Sequence, residues 1–129
     1  MRILLDTSTF LWWMTDLGAQ VSDSARSAIA DPENRVFVSV ASAWEISIKS
    51  GRGRLAMPQP VEQHIPELIM KYEFGVLGID LRHALRAGAL PDLHRDPFDR
   101  LLVAQGQLEG MLIATPDEIF RKYDVETIW

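Results

Sequence analysis

Apolar positions along this chain fall into short continuous runs separated by longer stretches with helical spacing. Ile3-Leu4-Leu5 is the first run, entered from Arg2 and closed by Asp6. Continuous rather than alternating apolar residues suit a central parallel strand covered on both faces. Thr7 and Ser8 can cap a helix to about Thr15, and a second helix, opened by Ser22 or Asp23, carries Ala25, Ala28 and Ile29 on one side. Asp31-Pro32-Glu33-Asn34 breaks the chain before Val36 to Val40, the expected second strand. A helix to about Ser50 follows, then a loop from Gly51 to Pro60 rich in glycine and proline.

Val61 to Phe74 is predicted helical, with Ile65, Leu68, Ile69 and Tyr72 at core spacing. Val76 to Ile79 reads as a third strand and Leu81 to Gly88 as a short helix. The loop Leu90 to Arg95 leads into a helix from Pro97 to Glu109, striped by Phe98, Leu101, Leu102, Gln105 and Leu108. Met111 to Thr115 is the fourth strand, Pro116 to Lys122 a helical segment, and Val125 to Ile128 an edge strand. Strands alternating with helices predict an α/β fold, a three-layer α/β/α sandwich around a small, mainly parallel sheet.

The 129 residues suit one domain spanning 1–129, and no apolar run approaches the roughly 20 residues of a membrane span. The N-terminus enters a strand without a charged and apolar leader, so a cytoplasmic location is expected. With no cysteine and three histidines, a metal would have to be held mainly by carboxylates, which points to a hard ion. A net charge of -5 argues against gripping nucleic acid by bulk electrostatics. Two local basic stretches stand against it: Lys49, Arg52 and Arg54, and Arg82, Arg86, Arg95 and Arg100.

Candidate chemistry lies where strands hand over to helices. Asp6, Glu45 and Asp117 each follow a predicted strand, and Asp96-Pro97-Phe98-Asp99 opens a helix. In open α/β sheets the carboxyl ends of the strands form the ligand crevice, where such acids can converge. Each has a structural alternative. Asp96 before Pro97 fits a helix cap; Glu45 completes a capping box with Ser42 unless Ser39 is the cap; Glu118 is a box partner for Thr115, which leaves Asp117 free. Two unit charges about 4 Å apart repel by about 4 kcal/mol at an effective dielectric near 20, so converging acids need a cation or protons.

All-oxygen ligation suits Mg²⁺ or Mn²⁺, and such an ion supports phosphodiester cleavage. Thr7, Ser8 or Thr9 either orient a water or phosphate oxygen or merely cap the first helix. His94 either meets phosphate or is a solvated loop residue; His64 and His83 are assigned no role. Trp12 and Trp13 point about 100° apart, so either one is exposed for a partner or the two fill different core pockets. Trp44 and Trp129 are expected in the packing.

The segments Leu4-Leu5-Asp6-Thr7-Ser8-Thr9, Ser42-Ala43-Trp44-Glu45-Ile46-Ser47-Ile48-Lys49 and His94-Arg95-Asp96-Pro97-Phe98-Asp99-Arg100, extended through Leu101-Leu102-Val103-Ala104-Gln105, are followed by Thr115-Pro116-Asp117. Together they resemble the PIN-domain ribonucleases, and among these the VapC-type toxins of bacterial toxin–antitoxin systems, over essentially the whole chain. The resemblance implies a PIN-like fold and a Mg²⁺-dependent endoribonuclease, with Mn²⁺ a possible substitute. Its catalytic and metal-binding quartet would be Asp6, Glu45, Asp99 and Asp117, with Asp96 as an additional metal-site acid. It also implies an RNA substrate, a homodimer and a cognate antitoxin that inserts a segment near the acids. Two rival readings are a phosphatase or phosphotransferase using Asp6 as nucleophile, and a non-catalytic protein-binding module in which the acids are only caps.

Overall fold

The structure, a computed structural model, describes residues 1–15, 17–53, 55, 57 and 60–129. Its sheet consists of β1 (Arg2–Leu5), β2 (Arg35–Ser39), β3 (Gly75–Leu77), β4 (Leu112–Ala114) and β5 (Thr127–Ile128), ordered β3-β2-β1-β4-β5. Every neighbouring pair is parallel. β1 is the middle strand, and Ile3, Leu4 and Leu5 are fully buried. Its uninterrupted apolar run follows from that position, because successive side chains point to opposite faces and both faces are covered.

Among the described residues, six α-helices flank the sheet: α1 (Thr7–Met14), α2 (Asp23–Ala30), α3 (Val40–Gly51), α4 (Val61–Lys71), α5 (Leu81–Ala89) and α6 (Pro97–Glu109). Ile3, Leu5, Val36 and Val38 pack on one face with Phe10, Ala25, Ile29, Ile46 and Ile65. Leu4 and Ile113 pack on the other with Leu102, Val103, Phe120 and Tyr123. The expected α/β/α arrangement is present, with a sheet that is parallel throughout. No helix among the described residues is long and apolar enough to cross a membrane.

From β1 the chain moves outward through β2 and β3, then crosses back to place β4 on the other side of β1. Such a reversal opens a crevice at the carboxyl ends of the central strands. β1 ends at Leu5 and β4 at Ala114, which are paired in register. Asp6 and Thr115 therefore emerge side by side.

Several boundaries differ from the sequence expectation, among them the edge strand, which begins at Thr127 rather than Val125, and the helical segment after β4, which begins at Glu118 rather than Pro116. Val40 starts α3 rather than ending β2, because Ser39 is the helix cap. α4 stops at Lys71 instead of running to Phe74. Glu73 takes a positive φ of 57°, with Glu73 N–H bonded to the Met70 carbonyl and Phe74 N–H to that of Ile69. This is a Schellman stop, built on a glutamate where glycine is usual, so no glycine announced it. The third strand, expected over Val76 to Ile79, is Gly75–Leu77. Arg54 and part of the Gly51 to Pro60 loop lie outside the described residues.

Candidate active site

Asp6 follows β1 and is buried. It also caps α1 itself, in place of the expected Thr7 or Ser8: Oδ1 accepts from the Thr9 N–H at 2.8 Å. Its other oxygen, Oδ2, accepts from the Thr115 hydroxyl at 2.6 Å. Thr115 in turn accepts from the Asp117 N–H, and Asp117 Oδ1 caps the short 3₁₀ segment Glu118–Lys122 through the Ile119 N–H. The expected pairing of Thr115 with Glu118, which would have freed Asp117 from capping, is therefore replaced. An ionised carboxylate has about four acceptor sites, so a single cap leaves capacity for another ligand.

Ser39 caps α3 through the Ala41 N–H, which puts Glu45 in the second turn rather than in a capping box. Glu45 is buried; Oε2 pairs with Lys49 Nζ at 2.6 Å, while Oε1 is buried and has no hydrogen-bond partner among the described residues. Asp96 caps α6, accepting from the Phe98 and Asp99 N–H groups, with Pro97 at the first helical position. Asp99, one turn in, is half-buried and meets His94 Nε2 at 2.8 Å.

These five acids line one cleft of about 330 Å³, together with Thr7, Ser8, Leu11, Lys49 and Pro116. Burial in the cleft is visible in the protonation of Asp6 and Asp99. Burial pushes the Asp6 carboxyl above its ordinary range, against hydrogen bonds from Thr115 and Thr9 and with the charge of Asp117 pushing the same way. Burial likewise raises Asp99 to about 6; the bond from His94 opposes this, while the charges of Asp96 and Asp6 add to it. One nitrogen of His94 and one oxygen each from Asp99 and Asp117 lie within 4.8 Å of one another.

The donor set fits a divalent cation. It is dominated by carboxylate oxygen, it is charge-crowded, and it includes Glu45, whose buried Oε1 has no hydrogen-bond partner among the described residues. A buried polar atom without a partner is costly, and a hard cation is the ligand that such oxygens select. Oxygen-rich ligation favours a hard ion over softer metals.

Other expectations are corrected. Thr7 and Thr9 have their hydroxyls bonded to Ser42 and to the Ala114 carbonyl, so only Ser8, exposed and without a hydrogen bond among the described residues, is open to a ligand. Arg82, Arg86 and Arg100 do not form a basic patch: Arg82 pairs with Asp80 and Glu109, Arg86 bonds Gln107, and Arg100 turns to backbone carbonyls. Trp44, expected in the packing, meets Phe98 edge-on with ring centroids 5.2 Å apart but stays 56% exposed, because Ala41, Ser42, Glu45 and Ile46 occupy the inner side of α3. Trp12 packs on Trp129, and Trp13 on Tyr72 and Phe74, so the first two tryptophans lie in different places.

Sequence reasoning missed three supporting residues. Lys49 lay at the i+4 position from Glu45, the spacing at which helical charges pair. His94, expected to meet phosphate or solvent, meets Asp99 Oδ2, and Thr115, expected as a cap, also donates to Asp6. His83, assigned no role, is buried, completing a capping box with Asp80 and meeting Glu109 at 2.9 Å.

The sequence matches the PIN domain family over residues 3–126. It is similar to Ribonuclease VapC16 of Mycobacterium tuberculosis, 31% identical over 67 residues, 52% of this chain and 48% of that protein. This chain thus spans about half the length of that curated relative. Its fold is similar to that of VapBC2 from Rickettsia felis bound to a promoter DNA fragment, with a TM-score of 0.72 at 14% identity, covering 99% and 98% of the two chains. VapBC-1 from nontypeable Haemophilus influenzae gives a TM-score of 0.63 at 20% identity, covering 99% and 97%. With the family match running through nearly every element that builds the cleft, the chain belongs to the PIN-domain family.

Proposed function

We propose that this protein is a divalent-cation-dependent endoribonuclease of the VapC type, the toxin of a toxin–antitoxin pair. The observation that carries the reading is the convergence of Asp6, Glu45, Asp96, Asp99 and Asp117 on one cleft, with a buried Glu45 oxygen that has no hydrogen-bond partner among the described residues. Asp6, Glu45, Asp99 and Asp117 would hold Mg²⁺ or Mn²⁺, and Asp96 would add its remaining acceptor capacity at the rim. Bound there, the ion supplies Lewis acidity to the phosphoryl group and to the attacking water.

The protein's own groups do the rest. Thr115 and the Thr9 N–H hold the Asp6 carboxylate in one orientation, and Lys49 holds that of Glu45. Ser8, at the mouth of α1, can donate to a phosphate oxygen. Attack of water on phosphorus in line with the 3′ oxygen breaks that P–O bond, and the departing oxygen takes up a proton. The products are a 3′-hydroxyl and a 5′-phosphate. Because the chain carries a net charge of -5, a polyanion is repelled until the cleft is neutralised, so substrate affinity depends on the cation as well.

The partners proposed are RNA, a cognate antitoxin and a second copy of the chain. Support for the antitoxin comes from fold similarity to solved structures such as a toxin–antitoxin complex from Klebsiella pneumoniae. The test is cleavage of RNA by the purified protein in Mg²⁺, in chelator, and with Asp6→Asn or Asp99→Asn. Cleavage is expected in Mg²⁺ only, with each variant slower by about 100-fold or more, in keeping with loss of one charge-stabilising group. Activity that survives chelator, or both substitutions, contradicts the reading.

A further inference from the structure

The loop that leads into α6 has no regular structure from Pro91 to Arg95, yet it is pinned firmly. Arg100 reaches back from the first turn of α6 and donates to four carbonyls: Nη1 to Pro91 at 3.1 Å and His94 at 3.2 Å, Nη2 to Ala87 at 2.9 Å and Leu90 at 3.0 Å. The Tyr123 hydroxyl adds a bond to Pro91 at 3.1 Å. A planar guanidinium fork is well suited to gathering carbonyls that no sheet or helix satisfies. The loop is therefore held without any help from the His94 side chain.

That side chain does something else: its Nε2 lies 2.8 Å from Asp99 Oδ2. Asp99 Oδ1 makes no hydrogen bond among the described residues, and Asp99 lines the cleft. We infer that His94 is a positioning residue: the loop clamped by Arg100 presents its Nε2–H to Asp99 Oδ2, fixing the carboxylate so that Oδ1 is offered to the cation. This rests on the proposed reading of the cleft as a cation site. Outer groups that orient a ligating carboxylate typically matter by 10–100-fold in metal affinity or activity.

The test is calorimetric titration of Mn²⁺ into the wild type, His94→Ala, His94→Gln and His94→Leu, with urea unfolding and RNA cleavage kinetics beside it. His94→Ala and His94→Leu are expected to bind Mn²⁺ roughly 10–100-fold more weakly. His94→Gln, whose amide can donate in place of the ring, should recover most of that loss. kcat should fall in step with the weakened binding at fixed Mn²⁺, with KM for RNA and the metal-free unfolding midpoint little changed. Wild-type affinity in His94→Leu, or equal losses in His94→Gln and His94→Leu, overturns the inference while the cation site stands. If His94→Ala does not fold, the Gln and Leu pair carries the comparison, since both fill the space and only Gln donates. A wild type that binds no Mn²⁺ overturns the cation site and the inference together.

Discussion

Asp99 shows most plainly how an individual side chain is compromised for the cleft. Its carboxyl is pushed up to about 6, chiefly by burial, with Asp96 and Asp6 adding to the shift. A value raised above the ordinary one means that folding favours the protonated acid. The stability from that preference is complete below about pH 4, declines as the pH rises and is gone above about pH 6. In chelator at pH 7.5, Asp99→Asn should therefore unfold later than the wild type, by about 1–2 kcal/mol once the loss of the His94 acceptor is allowed for. The margin should shrink as the pH approaches 4, and Mn²⁺ should reverse the order because only the wild type would keep the full set of proposed ligands. Thermal melts across pH, with and without Mn²⁺, test this. A wild type more stable than Asp99→Asn in chelator at neutral pH would contradict it.

Helices and strands decide where these side chains point, and here the polar joints matter as much as the apolar core. Ser39 is fully buried, caps α3 and donates to Gln105 Oε1 on α6 at 2.6 Å, while Gln105 Nε2 bonds the Gly78 carbonyl. One hydroxyl thus ties the helix carrying Glu45 to the helix carrying Asp99. Ser39→Ala should cost about 1–2 kcal/mol from the lost cap and more from the stranded Gln105 oxygen, and activity should fall beyond what the unfolded fraction explains. Urea denaturation paired with kinetics separates the two effects; a stability loss with unaltered activity in the folded fraction would deny Ser39 its part in aligning the site. Much of this framework was legible from residue patterns. The run Ile3-Leu4-Leu5 marked the central strand because only burial on both faces explains it. Asp96 before Pro97 marked the start of α6, and the acids after β1, β2 and β4 were found by their place at strand ends. What stayed hidden depended on contacts between distant segments. Nothing local joins Thr115 to Asp6, Ser39 to Gln105 or Arg100 to the carbonyls of the preceding loop. The exposure of Trp44 was equally unreadable, because an aromatic residue beside a buried acid looks like core until the helix is oriented.

Taken together, the molecule is an acidic protein with an acidic cleft, an arrangement that repels a polyanion such as the proposed RNA substrate unless something positive sits between them. The parallel sheet makes the arrangement possible by bringing the ends of β1 and β4 side by side, with α3 and α6 supplying Glu45 and Asp99 across the crevice. Folding thus concentrates like charge at one point, and a bound cation would recover that cost. Anomalous diffraction from crystals grown with Mn²⁺ tests this most directly. A single strong peak, or a closely spaced pair, is expected in the cleft within coordination distance of Glu45 and Asp99, lost in crystals of Glu45→Gln. A cleft without an anomalous peak at millimolar Mn²⁺, or Mn²⁺ bound only elsewhere on the surface, would contradict the account.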